Sequence, residues 1–194
     1  MIRPLATTAL AVVAASVVQA APGACTAQSG PQTAALVELY ISQRCDSCPP
    51  ADRWLSALRQ AGLGTDRVVP LSLHVDYWDH IGWKDPFAKP HFAARQRELA
   101  GIARSRTIYT PQVVLGGEDF RGWSARSRFA DAVAAVNAVP ARVTISLALD
   151  ASGATTLVRG VAASPIANGG AAASVQSRRT GEVLQALWLA GCGG

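Results

Sequence analysis

The chain has 194 residues, and its 18 Lys and Arg against 13 Asp and Glu leave a net charge of +5. That length suits one domain with a small appendage rather than several domains. The basic excess is slight and scattered, Arg178-Arg179 is the only adjacent basic pair, and no basic helix or aromatic RNA-reading motif occurs, so nucleic acid is excluded as a partner.

Met1-Ile2-Arg3-Pro4, the apolar run Leu5 to Val18, and Val18-Gln19-Ala20 are the basic, apolar and small-residue zones of a secretory signal peptide over residues 1–20, cut after Ala20 or Ala21. The apolar run falls short of the ~20 residues of a membrane span. Pro22-Gly23-Ala24 ahead of Cys25 lacks the leucine that heads a lipoprotein site. The expectation is a periplasmic or secreted monomer, free of the membrane once the leader is gone. In an oxidising compartment, Cys25, Cys45, Cys48 and Cys192 read first as disulfide formers. Cys25 and Cys192, near the two ends, are a candidate structural pair outside the redox centre.

Pro22 to Thr33 is rich in Gly, Pro, Ser and Gln and predicts a flexible lead-in. A strand follows from about Ala34 to Ile41, then Arg44-Cys45-Asp46-Ser47-Cys48-Pro49-Pro50, then a helix from about Ser47 to Ala61 ended by Gly62 and Gly64. Two thiols are thus placed where a strand turns into a helix. The positive end of a helix stabilises a thiolate against the ordinary thiol pKa of about 8.5, which makes Cys45 the expected attacking sulfur. Cys48, expected one turn into the helix, is set to resolve a mixed disulfide formed on Cys45. Arg44 favours the thiolate and Asp46 disfavours it.

Val68 to Val75 predicts a second strand covered on both faces, and hence a parallel crossover. Asp76 to Phe87 then crowds aromatic rings and acids at that strand's C-terminal end, where open α/β sheets place their ligand crevice. His74, Asp76, Tyr77 and Trp78 are candidate substrate-binding residues there. Asp76, Asp79, His80 and Asp85 lack metal-ligand spacing and predict a polar rim around a core of Tyr77, Trp78 and Trp83. No cofactor or metal is expected; the alternative is a soft metal on Cys45, Cys48 and His74. A helix from about Pro90 to Ala103 buries Phe92, Leu99 and Ile102 and turns Arg95, Gln96, Arg97 and Glu98 elsewhere. Tyr109 to Gly117 predicts a third strand and Asp119 to Gly122 its hairpin partner. The helix Ser124 to Ala138 starts on Ser124 as N-cap and points Phe129, Val133 and Val136 inward. Alternation over Val143 to Leu149, a turn at Asp150 to Gly153 and a return over Thr155 to Val161 predict a small β-rich unit at 142–190. Beyond Ser164 only Ser174 to Gln176 carries weak strand character.

This order of elements resembles a thioredoxin-like domain. The resemblance rests on Cys45 and Cys48 at the first strand-to-helix turn and on Thr110-Pro111 opening the third strand. It implies an α/β fold over 34–139, with a thioredoxin-like central sheet, flanking helices and a helical insertion, plus the small C-terminal β appendage. It also implies a cis Pro111 facing the dithiol and a Thr110 backbone free to pair with a peptide. Val37-Glu38-Leu39-Tyr40, Ser42-Gln43, Cys45, Ser47 to Asp52, His74 to Asp79, Gly82-Trp83, Asp85 and Tyr109 to Gln112 are similar to the exported family called domain of unknown function 1223. That family implies fold and export, and has no settled activity. Asp46 stands where the family has serine, and Glu182 to Gly194 departs from its final β segment, which reads as an incomplete C-terminal unit. Two functions fit. One is an exported thiol-disulfide oxidoreductase with Cys45, Cys48 and Pro111 at its centre, acting on a protein or small-thiol substrate and served by a redox partner. The alternative is a non-enzymatic module binding a protein partner or a soft metal ion.

Overall fold

The computed structural model describes residues 25–149, 155–159, 163–166 and 170–191. The expected leader, the turn at 150–153 and Cys192 lie outside them. In chain order the elements are β1 (Cys25–Gln28), β2 (Ala35–Ile41), α1 (Pro49–Ala57), β3 (Val68–His74), a 3-10 turn at Asp79–Ile81, α2 (Pro90–Ile102), β4 (Gln112–Leu115) and β5 (Glu118–Asp119). They continue with α3 (Arg126–Asn137), β6 (Ser146–Leu149), β7 (Thr155–Arg159), β8 (Ala163–Ile166), β9 (Gly170–Gln176) and β10 (Val183–Leu189).

The central sheet has the order β3-β2-β4-β5. The β2–β3 pair is parallel, as the two apolar runs predicted, and the other two pairs are antiparallel. Every residue of β2 is buried because both of its faces are covered. Val37, Leu39 and Ile41 pack under α1 and α3 with Leu55, Phe129 and Val133. On the opposite face, Tyr40 packs with Ala93 and Leu99 of α2, and Leu36 packs with Ala172, Val183 and Ala186 of the C-terminal unit. The inward stripe Phe129, Val133, Val136 of α3 holds, but Ala125, not Ser124, is the N-cap and no side chain caps it.

The C-terminal unit is two three-stranded sheets, β1-β6-β7 and β10-β9-β8. Leu147 and Leu149 of one, with Ile145 just before β6, pack on Ala171, Ala173, Leu187 and Leu189 of the other. Two expectations are corrected here. The residues read as a flexible lead-in supply β1, which pairs antiparallel with β6. The tail holds two full strands, with β10 pairing β9 over most of its length. The alanines of β9 are buried on both faces, Ala172 toward the central sheet and Ala171 and Ala173 toward β6. A strand sandwiched in this way shows no apolar-polar alternation.

Polar side chains fix the seam between this unit and the central sheet. Glu38 of β2 is fully buried. Arg95 of α2 donates to it through both Nε and Nη2, the latter 2.9 Å from Oε2, and reaches Gln176 Oε1 of β9 at 3.0 Å through Nη1. Arg95 and Gln96 therefore turn inward, against the outward orientation expected from the polar run of α2. Burial and the neighbouring Glu38 carboxylate push the Tyr40 hydroxyl, which donates to Glu38 Oε1, far above its ordinary value. The β4–β5 turn adds a close approach. A Cβ on Gly117 would lie 1.9 Å from the Gly181 carbonyl oxygen, and its φ of +101° is open to glycine.

Candidate functional site

Ile41 ends β2, and the chain turns through Ser42 to Cys48 into α1. Ser42 O accepts the Cys45 N–H at 3.1 Å, and Cys45 O accepts the Cys48 N–H at 3.0 Å. Cys45 and Cys48 form a disulfide, with Cα atoms 5.3 Å apart. The helix begins two residues later than expected, at Pro49, with Cys48 as its N-cap. The reason is Pro49-Pro50: their fixed φ suits the first helical turn and they bring no N–H that needs a partner. Cys48 thus stands at the helix edge and Cys45 a turn before it. Both are buried, Cys45 at 6% exposure and Cys48 at 3%, and both pack into the α1–α3 side of the core. The two sulfurs thus differ little in access. Ser47 Oγ lies 3.6 Å from Cys45 Sγ. Arg44 and Asp46 are exposed on either side.

The Thr110–Pro111 peptide bond is cis. The β2–β4 register pairs Tyr40 with Gln112, so Pro111, one residue earlier, lies at the sheet end from which the dithiol loop departs. The Trp78 indole N–H donates to Thr110 Oγ1 at 2.9 Å. That bond joins the aromatic loop to the proline turn.

His74, the last residue of β3, sits opposite Ile41. Its Nδ1 is 2.7 Å from Asp85 Oδ2, and the same oxygen accepts the Gln43 N–H at 2.8 Å. Asp85 Oδ1 accepts the Phe87 N–H at 2.9 Å. Burial alone would raise this carboxyl, but the Gln43 N–H, the His74 ring and the Phe87 N–H together hold it below its ordinary value. A carboxylate only accepts, so His74 is the donor in this contact, through Nδ1. Asp79 Oδ1 in turn accepts the Asp85 N–H at 3.1 Å. These acids brace the loop, as the polar-rim expectation had it. Trp83 is the exception to that expectation: it is exposed instead of central, with its indole N–H on Gln43 Oε1 at 3.1 Å.

Tyr77 donates to Gln96 Oε1 at 3.1 Å, and Gln96 Nε2 donates to Tyr109 O and to Gln112 Oε1. Gln112 and Tyr109 both donate to Asp119 Oδ1. Burial and the Asp119 hydrogen bond push the Tyr109 hydroxyl up to about 12. Of the candidate residues, Cys45, Cys48, His74, Thr110 and Pro111 gather at one end of the sheet. Tyr77 and Trp78 join them through hydrogen bonds, and half-buried Asp76 receives the Asp79 N–H through its backbone carbonyl. Sequence reasoning passed over Gln43, Ser47 and Gln96; the signal for Gln96 was a single amide in the middle of an otherwise charged stretch of α2. Among the described residues no three His, Cys, Asp or Glu side chains converge as metal ligands do. Cys25 is disulfide-bonded and packs in the C-terminal core, apart from the Cys45–Cys48 cluster.

The site and fold define an α/β protein whose Cys-x-x-Cys disulfide links the end of the central strand to a helix. A family described as "Protein of unknown function (DUF1223)" matches residues 36–185, and the chain belongs to it. A crystal structure of protein AGR_C_4864 from Agrobacterium tumefaciens shares the fold, with a TM-score of 0.60, 23% identity, and coverage of 84% of this chain and 96% of that one. Comparison with curated proteins finds no match.

Proposed function

We propose that the chain is an exported thiol-disulfide oxidoreductase built on a thioredoxin-like domain, with Cys45 attacking and Cys48 resolving. The observation that carries the proposal is the Cys45–Cys48 disulfide at the junction of the central strand and α1. The thioredoxin-like assignment is supported by the β3-β2-β4-β5 sheet with one parallel pair, helices on both faces, and a cis proline at the dithiol end. Export is supported by the zoned N-terminus and by disulfide usage. In the reducing direction the Cys45 thiolate attacks one sulfur of a substrate disulfide and expels the other as a thiolate, which takes a proton from solvent. The Cys48 thiolate then attacks Cys45 Sγ, reforms the protein disulfide and releases the second substrate thiol. Two electrons and two protons pass from the protein dithiol to the substrate. Oxidation of a substrate dithiol is the same path reversed. Pro111 and Thr110 border the incoming sulfur, while His74, Asp76, Tyr77 and Trp78 shape the wall beside it.

The test is trapping. Reduced Cys48→Ser protein mixed with glutathione disulfide should hold glutathione on Cys45, visible by peptide mapping, whereas Cys45→Ser should not hold it on Cys48. Labelling of Cys48 first, or no reaction of either thiol in the folded protein, would replace the enzyme by a thioredoxin-like binding module.

A further inference from the structure

Large apolar side chains exposed among the described residues are few, and three of them, Ile81, Trp83 and Phe87, crowd into one short loop at 40%, 54% and 56% exposure. Exposure on a loose loop would carry little meaning, but this loop is fastened at its polar edges. His80 Nδ1 meets Tyr77 O, and the buried Asp85 holds the Phe87 N–H and is itself held by Asp79. With its polar edges met from within the protein, the loop leaves apolar faces for the outside. Two further bonds fix where those faces lie. Arg44 Nη2 donates to Ile81 O at 3.0 Å, and the Trp83 indole N–H donates to Gln43 Oε1 at 3.1 Å. Gln43 and Arg44 lead straight into Cys45, so the platform adjoins the dithiol.

The fully exposed charges around the platform are mostly basic. Arg44, Lys84 and Lys89 are exposed, whereas Asp85 is buried and committed, Asp76 and Asp79 are half-buried with Asp79 on the Asp85 N–H, and Asp46 is the exposed acid of the dithiol turn. An apolar surface with a basic rim complements an extended chain that mixes apolar and acidic side chains. A small thiol reaching Cys45 is too short to cover the platform as well.

We propose that Ile81, Trp83 and Phe87 form a docking platform that selects the substrate as an extended polypeptide, carrying its cysteine among apolar and acidic residues, over a small thiol. The proposal rests on the oxidoreductase reading. The reaction is the exchange written above: the Cys45 thiolate attacks the peptide sulfur of a peptide–glutathione disulfide and expels glutathione. Cys48 then releases the peptide thiol as the protein disulfide reforms.

The experiment compares reduced wild type with Ile81→Ser/Trp83→Ser, two exposed positions outside the buried clusters. The probes are a short synthetic peptide with Phe, Leu and Glu around one glutathionylated cysteine, and glutathione disulfide itself. The double variant should lose about tenfold in kcat/KM on the peptide, through KM, with glutathione disulfide unaffected. Replacing the peptide's Glu by Lys should slow wild type about threefold. If wild type reacts with both probes and the variant handles the peptide as wild type does, or loses both reactions equally, the platform does not select substrate while the oxidoreductase reading stands. If wild type reacts with neither, that reading fails and the platform falls with it.

Discussion

The two faces of β2 are built on opposite principles. Val37, Leu39 and Ile41 meet an apolar layer that includes both sulfurs of the disulfide. Leu36 and Tyr40 also meet apolar groups, but between them a buried carboxylate, Glu38, binds a guanidinium that binds the Gln176 amide, in a chain of donors and acceptors. Apolar contact is non-directional and stabilises many arrangements nearly equally, whereas a hydrogen-bonded ion pair tolerates one geometry. The first face holds the dithiol in an apolar core. The second fixes how α2 and the C-terminal sheets sit on the central sheet, and with α2 the loop that ends in the apolar platform.

Breaking the polar face should give the largest effect. Arg95→Ala leaves Glu38 fully buried without its cation, and urea unfolding should show a loss of about 3–5 kcal/mol. Adding Glu38→Leu to Arg95→Met should recover most of it, because two apolar groups need no partners. A loss of under about 1 kcal/mol for Arg95→Ala, the size of an exposed pair, would mean the seam is held by its apolar contacts alone.

Asp85 holds the Gln43 N–H just past the end of β2, and it sharpens the comparison through pH. Its carboxyl is held below the ordinary 3.8 in the folded chain. The unfolded chain therefore takes up the proton first as pH falls. The stability that Asp85 contributes is complete above its ordinary value and drains away as pH drops through the lower folded value. Asp85→Asn should cost about 1–3 kcal/mol at neutral pH, and the gap from wild type should close below about pH 3.8. A gap that persists unchanged into that acid range would show that the loop is held by something other than the ionised carboxylate.

These two layers also explain what was legible from residues alone. Apolar runs at Ala34 to Ile41 and Val68 to Val75, and the stripe Phe129, Val133, Val136, announce their elements because most of their side chains meet apolar neighbours. Arg95 and Gln96 look like surface residues because polarity on a helix normally faces water; their partners Glu38, Gln176 and Gln112 are far off in sequence. The alanines of β9 carry no periodic signal because both of their faces are covered. Cys25–Gln28 becomes a strand through β6, more than a hundred residues later. The dithiol was visible in its spacing, while its setting was not: whether a thiol beside a helix finds donors depends on which backbone N–H groups are already spent.

That last point gives the smallest and most specific expectation. Helix-start activation assumes free N–H groups, yet the first two helical positions here are prolines, the Cys48 N–H goes to Cys45 O, and the Ala51 and Asp52 N–H groups go to Cys48 O. Ser47 Oγ, 3.6 Å from Cys45 Sγ, is the polar group the turn does bring to it. In a Cys48→Ser background, adding Ser47→Ala should move the pH profile of iodoacetamide alkylation at Cys45 upward by less than about one unit, as expected for loss of one weak hydrogen bond at 1.36 kcal/mol per unit. Asp46, exposed beside it, acts in the opposite sense, and Asp46→Ser should shift the profile downward. Coincident profiles for Ser47→Ala and its parent would leave the thiolate dependent on the helix field alone, and the two faces of β2 would then differ only in how they hold the fold.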